Sequence, residues 1–240
     1  MPRKTIIIAI TGIATSIVLL SAAAVIDGPK LANTDWRRFN IGFHQCKPVP
    51  GALARSRSLD WLGGNEVRVS LPANVHYRRG EGDRLVISGD PQAVAHVEVE
   101  ESGRIHMDCD SWESRVDVTL PGREFRSFRI SGSGDLDLND LDQRSVELRI
   151  SGSGSIQASG KVDDAKVRIS GSGDARLGGL AVQDMDLEVS GSGNAEIAPK
   201  DRARLKVSGS GDIRLLTDPK SLDTRVSGSG RIVHAQRENI

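Results

Sequence analysis

One tetrapeptide governs what this 240-residue chain can fold into. Ser-Gly-Ser-Gly occurs at 131–134, 151–154, 170–173, 190–193, 208–211 and 227–230, at successive spacings of 20, 19, 20, 18 and 19 residues. Flexible Gly-Ser linkers contain the same tetrapeptide, but without ordered hydrophobic flanks. Here the flanks are strictly patterned. Val146, Leu148 and Ile150 precede the second copy, Ile156 and Ala158 follow it, and Gly152 and Gly154 keep the same parity. Alternation of period two on both sides of the motif means extended strand on both sides. A unit of about 19 residues is too short for a βαβ crossover, which needs roughly 30. It fits one coil of an all-β fold, a parallel β-helix (β-solenoid), with coils stacked at ~4.8 Å and right-handed by the crossover rule.

The other copies keep the register. Phe128, Ile130, Leu136 and Leu138 belong to the first, and Val167, Ile169, Ala175 and Leu177 to the third. Met185, Leu187, Val189, Ala195 and Ile197 form the fourth; Ala203, Leu205, Val207, Ile213 and Leu215 form the fifth. The sixth, with Leu222, Thr224, Val226 and Ile232, is degraded in the manner of a terminal repeat. Outward positions test the stack independently. Glu147, Lys166, Asp186, Arg204 and Asp223 alternate in sign from coil to coil, as do Arg176, Glu196 and Arg214. In-register neighbours of opposite sign attract, whereas a linker or a helix gives no reason for such alternation. The motif glycines are expected at a sharp corner or a close approach of opposite walls.

Six regular coils thus span 127–235, and the solenoid domain is expected over 66–235. Val67-x-Val69-x-Leu71-Pro72 is echoed by Val116-x-Val118-x-Leu120-Pro121, and Leu85-Val86-Ile87-Ser88-Gly89 reads as a decayed motif copy in an irregular coil. No helix is expected after residue 65. With three Trp, four Phe and one Tyr, the core is expected to be built from Val, Ile and Leu alone. Residues 27–65, with Pro29, Pro48, Pro50 and Arg55 to Arg57, read as a lead-in or an N-terminal cap over open sheet edges.

Residues 1–26 read as a targeting segment. A basic start is followed by an apolar run from Thr5 to Leu20 and by small residues at Ala22 and Ala24. A cleaved secretory signal and a retained membrane anchor both fit. Either places the rest of the chain outside the cytoplasm, in the periplasm or cell envelope. Two cysteines, Cys46 and Cys109, then allow a disulfide, two separate thiols, or a zinc set with His44 and His106. Strand alternation sets His106 against the metal reading, because it turns away from the side of Ile105, Met107 and Cys109.

Val116 to Pro121, then Phe128-Arg129-Ile130 running into the first motif, then tandem apolar-x-apolar-SGSG units, resemble the auto-transporter adhesin head family, the GIN domain of bacterial exported proteins. The resemblance covers about 66–235 and implies a β-helix without assigned chemistry and a role in adhesion. At 240 residues the chain is expected to lack the C-terminal translocator barrel of a complete auto-transporter.

Three constellations bear on function. Gly-Ser-Gly-Asp at Asp135, Asp174 and Asp212 is similar to calcium-binding nonapeptides, but the Asp follows the last Gly directly and the period is doubled. A solvated polar edge is the simpler reading. Asp135 and Asp137 share a strand face as a hydrolase pair would, without an aromatic sugar platform. Arg129, Arg149 and Arg168 stack on consecutive coils, either as a contact strip for an anionic polymer or as a column neutralised by acidic neighbours. Lys plus Arg and Asp plus Glu are 32 each, which argues against a nucleic-acid binder. The sequence therefore predicts a non-catalytic exported envelope protein without cofactor or metal. It would serve structure or adhesion toward envelope or extracellular polysaccharide or protein. A polysaccharide-acting enzyme is the alternative.

Overall fold

The computed structural model describes residues 46–109 and 114–235. The expected targeting segment, the first part of the lead-in and His44 lie outside the described residues. Downstream of residue 126 the chain is a parallel stack within a solenoid of about five turns. β8 (Ser127–Gly132) begins it, and β9 (Asp135–Gly152), β10 (Ser155–Gly171), β11 (Asp174–Gly191) and β12 (Ala195–Gly209) each wrap a coil. β13 (Ile213–Leu215), β14 (Ser221–Gly228) and β15 (Ile232–His234) complete it. The register aligns each motif with the next: Ser131, Ser151, Ser170, Ser190, Ser208 and Ser227 fall on one column. Inward residues of the first five copies are buried.

The motif makes the corner. Its first glycine has φ between +94° and +131° in all six copies, a region that only glycine enters without strain. The carbonyl of Gly171 accepts from both Ser192 N–H (2.8 Å) and Gly193 N–H (3.1 Å), so the corner stays hydrogen-bonded from coil to coil. A Cβ on Gly193 would lie 2.0 Å from the Gly173 carbonyl oxygen. The close approach is between successive coils, backbone on backbone, and not between opposite walls.

The N-terminal part departs from sequence order. β2 (Glu66–Ser70) and β3 (Ala73–Arg78) stack on β8 and β9, while β6 (Arg104–Met107) and β7 (Val116–Thr119) stack on the other side of β2 and β3. The later segment is therefore the outer coil. Residues 85–89 do not form a parallel motif copy: they belong to β4 (Arg84–Ser88) and the glycine after it, and β4 pairs antiparallel with β7. β1 (Ser56–Asp60) pairs antiparallel with β4, and β5 (Val97–Val99) with β6. Antiparallel strands thus finish the N-terminal edge. Against expectation, a short helix α1 (Pro91–His96) sits between β4 and β5. The Asp90 carboxylate accepts from Gln92 and Ala93 N–H, and Pro91 occupies the first turn, a start signal that six residues carry no periodicity to announce.

The aliphatic-core expectation also fails at this end. Trp61, Tyr77, Phe125 and Phe128, the four aromatic residues among the described residues, form one cluster with ring centroids 5.3–5.8 Å apart. Tyr77 O–H donates to the Arg123 carbonyl, and Trp61 Nε1–H to the Gly64 carbonyl, so each buried polar tip is satisfied.

Gly193→Ala should destabilise the fold by about 2–4 kcal/mol, because the contact it meets is backbone and cannot swing away. The exposed neighbour Ser192→Ala should stay within about 0.5 kcal/mol. Urea titration of both variants, followed by far-UV circular dichroism, measures the difference.

Candidate binding face

The column of Arg129, Arg149 and Arg168 is longer than the sequence shows. Arg68 aligns with Arg129, and Arg104 with Arg68, so five arginines occupy consecutive rungs. Arg68 and Arg104 escape sequence reasoning because their coils are stacked out of chain order. Acidic side chains interleave with the ladder. Glu66 lies 2.7 Å from Arg68 and 2.9 Å from Arg129, and Glu147 lies 2.6 Å from Arg149 and 3.2 Å from Arg168. Glu100 is 3.6 Å from Arg104, and Glu188 is 3.7 Å from Arg168. Four carboxylates therefore serve five guanidiniums, and Glu66 and Glu147 are each shared by two. The five arginine side chains remain 37–47% exposed. Arg–Arg repulsion along the stack is met locally, while guanidinium edges still face solvent.

Two features flank the ladder. On one side runs the exposed serine column from Ser131 to Ser227. On the other side a groove of about 590 Å³ crosses six rungs, from Arg126 to Asp223. At ~4.8 Å per rung it is roughly 24 Å long. Its floor is Val146, Ala165, Met185 and Ala203, and its walls carry Glu147, Lys166, Asp186 and Arg204. The alternating column that supports the register is thus also a groove wall. The small residues Ala165 and Ala203 on the inward column were the sequence signal for a dent at this corner.

The column after each motif has a structural task. Asp135 Oδ1 accepts from Ser155 N–H, and Asp174 Oδ1 from Asn194 N–H. Asn194 Oδ1 accepts from Asp212 N–H, and Asp212 Oδ1 from Arg231 N–H. Each side chain satisfies a backbone donor of the next coil just past the corner. The calcium-like pattern is a ladder of backbone acceptors.

Titration follows the same partners. The hydrogen bond from Arg68 draws Glu66 below the usual carboxylate range, that from Arg202 does so for Asp184, that from Lys206 for Glu188 and that from Arg231 for Asp212. Burial pushes Asp135 up, but hydrogen bonds from Ser155 and Arg115 outweigh it and leave it lowered. Asp137 shares the face but lies beside His76 in the register. A general acid needs a raised carboxyl, and Asp135 is shifted the other way.

Cys46 and Cys109 are joined by a disulfide across 63 residues. His106 does not approach it: its ring lies 3.6 Å from Glu98 and 3.7 Å from Glu100. The histidine beside the disulfide is the buried His96, whose Nδ1 is 2.7 Å from Asp108 Oδ1 and whose Nε2 is 2.9 Å from the Lys47 carbonyl. From the same helix, α1, Gln92 accepts from Val49 N–H and donates to the Val49 carbonyl. The helix thereby fastens the segment entering the domain.

Residues 65–235 match the family model described as "Putative auto-transporter adhesin, head GIN domain". The chain belongs to this family. A solved structure named as a putative adhesin from Bacteroides fragilis is 17% identical with a TM-score of 0.57, covering 75% of this chain and 95% of that one. A putative adhesin from Parabacteroides distasonis is 20% identical with a TM-score of 0.49, covering 75% and 96%. The same organism supplies a structure named as a putative lipid binding protein, 18% identical with a TM-score of 0.45, covering 75% and 96%. The first likeness shows a shared fold. No curated protein sequence matches the chain.

Two outcomes test the site's chemistry. The lowered carboxylates bind fewer protons folded than unfolded, so their contribution is present above the ordinary values of 3.8 and 4.5 and is lost as pH falls through the lower folded values. Urea midpoints should therefore be flat above about pH 5 and decline steadily below it. Removing the disulfide, as Cys46→Ser/Cys109→Ser, should cost up to about 4 kcal/mol through the long loop it closes. Chemical denaturation of the double variant against the oxidised chain reads this directly.

Proposed function

We propose that the chain is a non-catalytic, exported envelope protein that holds a linear anionic polymer along the five-arginine ladder. The observation that carries this reading is the ladder itself: identical cationic groups repeat at the coil spacing, with fewer carboxylates than guanidiniums and two carboxylates shared. A polymer with carboxylate or sulfate groups offers the repeated partner that such a column accepts, and guanidiniums pair with either group in bidentate geometry. Arg129, Arg149 and Arg168 form one end of the contact, Arg68 and Arg104 extend it beyond Arg129, and the serine column adds hydroxyl donors beside it. Each contact is weak and solvent-screened, so affinity comes from the number engaged at once. Membership of an adhesin family supports a binding role. The disulfide supports an oxidising compartment, such as the periplasm or cell surface, reached through residues 1–26 as a cleaved signal or a retained anchor. The engagement of Asp135 by Ser155 and Arg115, which leaves it serving the corner, weighs against the rival reading, a polysaccharide hydrolase or lyase using Asp135 and Asp137.

Binding and turnover are measured on one panel: polygalacturonate, dextran sulfate and uncharged dextran. The expected result is binding of the two anionic polymers without cleavage, weakened with rising salt. Arg149→Ala/Arg168→Ala should weaken it at least about tenfold, as expected for the loss of two charge-assisted contacts. Equal binding of uncharged dextran, or no effect of the double variant, removes the ladder from the mechanism. Cleavage abolished by Asp135→Asn or Asp137→Asn establishes the enzyme instead.

A further inference from the structure

The two ends of the solenoid are finished differently. At the N-terminal end, β4, β1 and β5 run antiparallel to the strands they join and α1 packs beside them. At the C-terminal end, β14 pairs with β12 and with no other strand among the described residues. Every residue of β14 is exposed. Its inward positions, aligned with the buried Ala203, Leu205 and Val207, are Leu222, Thr224 and Val226. Leu222 is 38% and Val226 48% exposed, on a column whose earlier members are almost wholly buried. The core therefore ends on an apolar rung whose backbone edge is unpaired by any described strand. Edges of this kind are normally paired, covered or blunted.

We propose that this edge pairs with the same edge of a second copy, β14 against β14 in antiparallel orientation about a two-fold axis at Thr224. The sequence of the strand is self-complementary in that one register. Directly opposed residues of an antiparallel pair share a face, so inward residues must meet inward residues. Centring on Thr224 sets Leu222 opposite Val226 of the second copy, and Val226 opposite its Leu222. It also sets Asp223 opposite Arg225 of the second copy, twice by symmetry. Centring on Asp223 or on Arg225 would oppose like charges, and a one-residue slip would put charges against the core. Among the described residues of one copy, Asp223 has only long ion contacts, 3.8 Å to Arg204 and 4.0 Å to Arg225, so both charges can engage across the edge. An axis perpendicular to the sheet keeps the inner face inner, so the two hydrophobic columns join into one. Head-to-tail stacking would need a parallel continuation of the coil, which the antiparallel β1, β4 and β5 do not offer at the N-terminal end. The assembly is therefore a closed, isologous dimer and not a fibre.

Sedimentation velocity of the full chain over a concentration series tests this, with circular dichroism confirming that each variant is folded. Wild type should show a reversible monomer–dimer equilibrium. Asp223→Arg alone and Arg225→Asp alone each oppose like charges, and each should weaken the dimer at least tenfold. The two single variants mixed should form a heterodimer, and Asp223→Arg/Arg225→Asp should restore the homodimer. Thr224→Cys should give an interchain disulfide linking the two copies at the substituted position, identified by mass spectrometry of the linked peptides. A monomer at every concentration overturns the proposal, including the case in which residues 236–240 cover the edge and a dimer appears only on their deletion. A dimer indifferent to both charge reversals, or one that gives no crosslink at this position, overturns it equally.

Discussion

The stacking of glycine on glycine at each corner is the constraint from which the rest of the molecule follows. Successive coils approach until a motif carbonyl accepts an N–H group from the next coil, two of them at Gly171, Gly191 and Gly209, and a Cβ at either motif glycine of a stacked coil would intrude on backbone. That contact fixes where the chain turns. The position of every residue before and after the motif is then set by counting in twos. Buried columns, the serine column, the arginine ladder and the alternating groove wall are all consequences of one repeated corner. Because parallel coils place identical positions side by side, any residue chosen once is multiplied along the axis, and charge must be managed column by column.

That multiplication explains why the polar surface is organised as ladders and not as isolated pairs. The Asp and Asn side chains just past the motif each accept a backbone donor of the next coil, a local task that repeats because the corner repeats. The arginine ladder is held by carboxylates from the neighbouring column, two of them bridging adjacent rungs. A face so built is stiff and periodic, with features shared among coils, which suits contact with an equally periodic partner better than bond chemistry at one point.

The ends escape the repeat. At the N-terminal end the chain leaves coil order, lays β6 and β7 outside β2 and β3, and closes the edge with antiparallel strands, a short helix and an aromatic cluster. The disulfide and the hydrogen bonds of Gln92 and His96 tie the entering segment to this end. At the other end the last coil keeps its register, and among the described residues nothing covers it.

By itself the sequence determined the period, the strand parity, the corner, the buried columns from Phe128 to Leu215 and the family resemblance. All of these rest on interactions between one coil and the next, so they are written into a repeat of about 19 residues. It also placed Arg129, Arg149 and Arg168 on one column. The tertiary structure decided what no repeat encodes. Arg68 and Arg104 joined that column because two segments stacked in reverse chain order, a choice made by long-range pairing. Residues 85–89 carry the same alternation as a parallel strand, and only their neighbours made them antiparallel. Cys46 had three open readings until the fold of the N-terminal end brought Cys109, and not His106, beside it. Local pattern specifies which face of a strand is buried; which strand lies next to it is settled by the packing of the whole end.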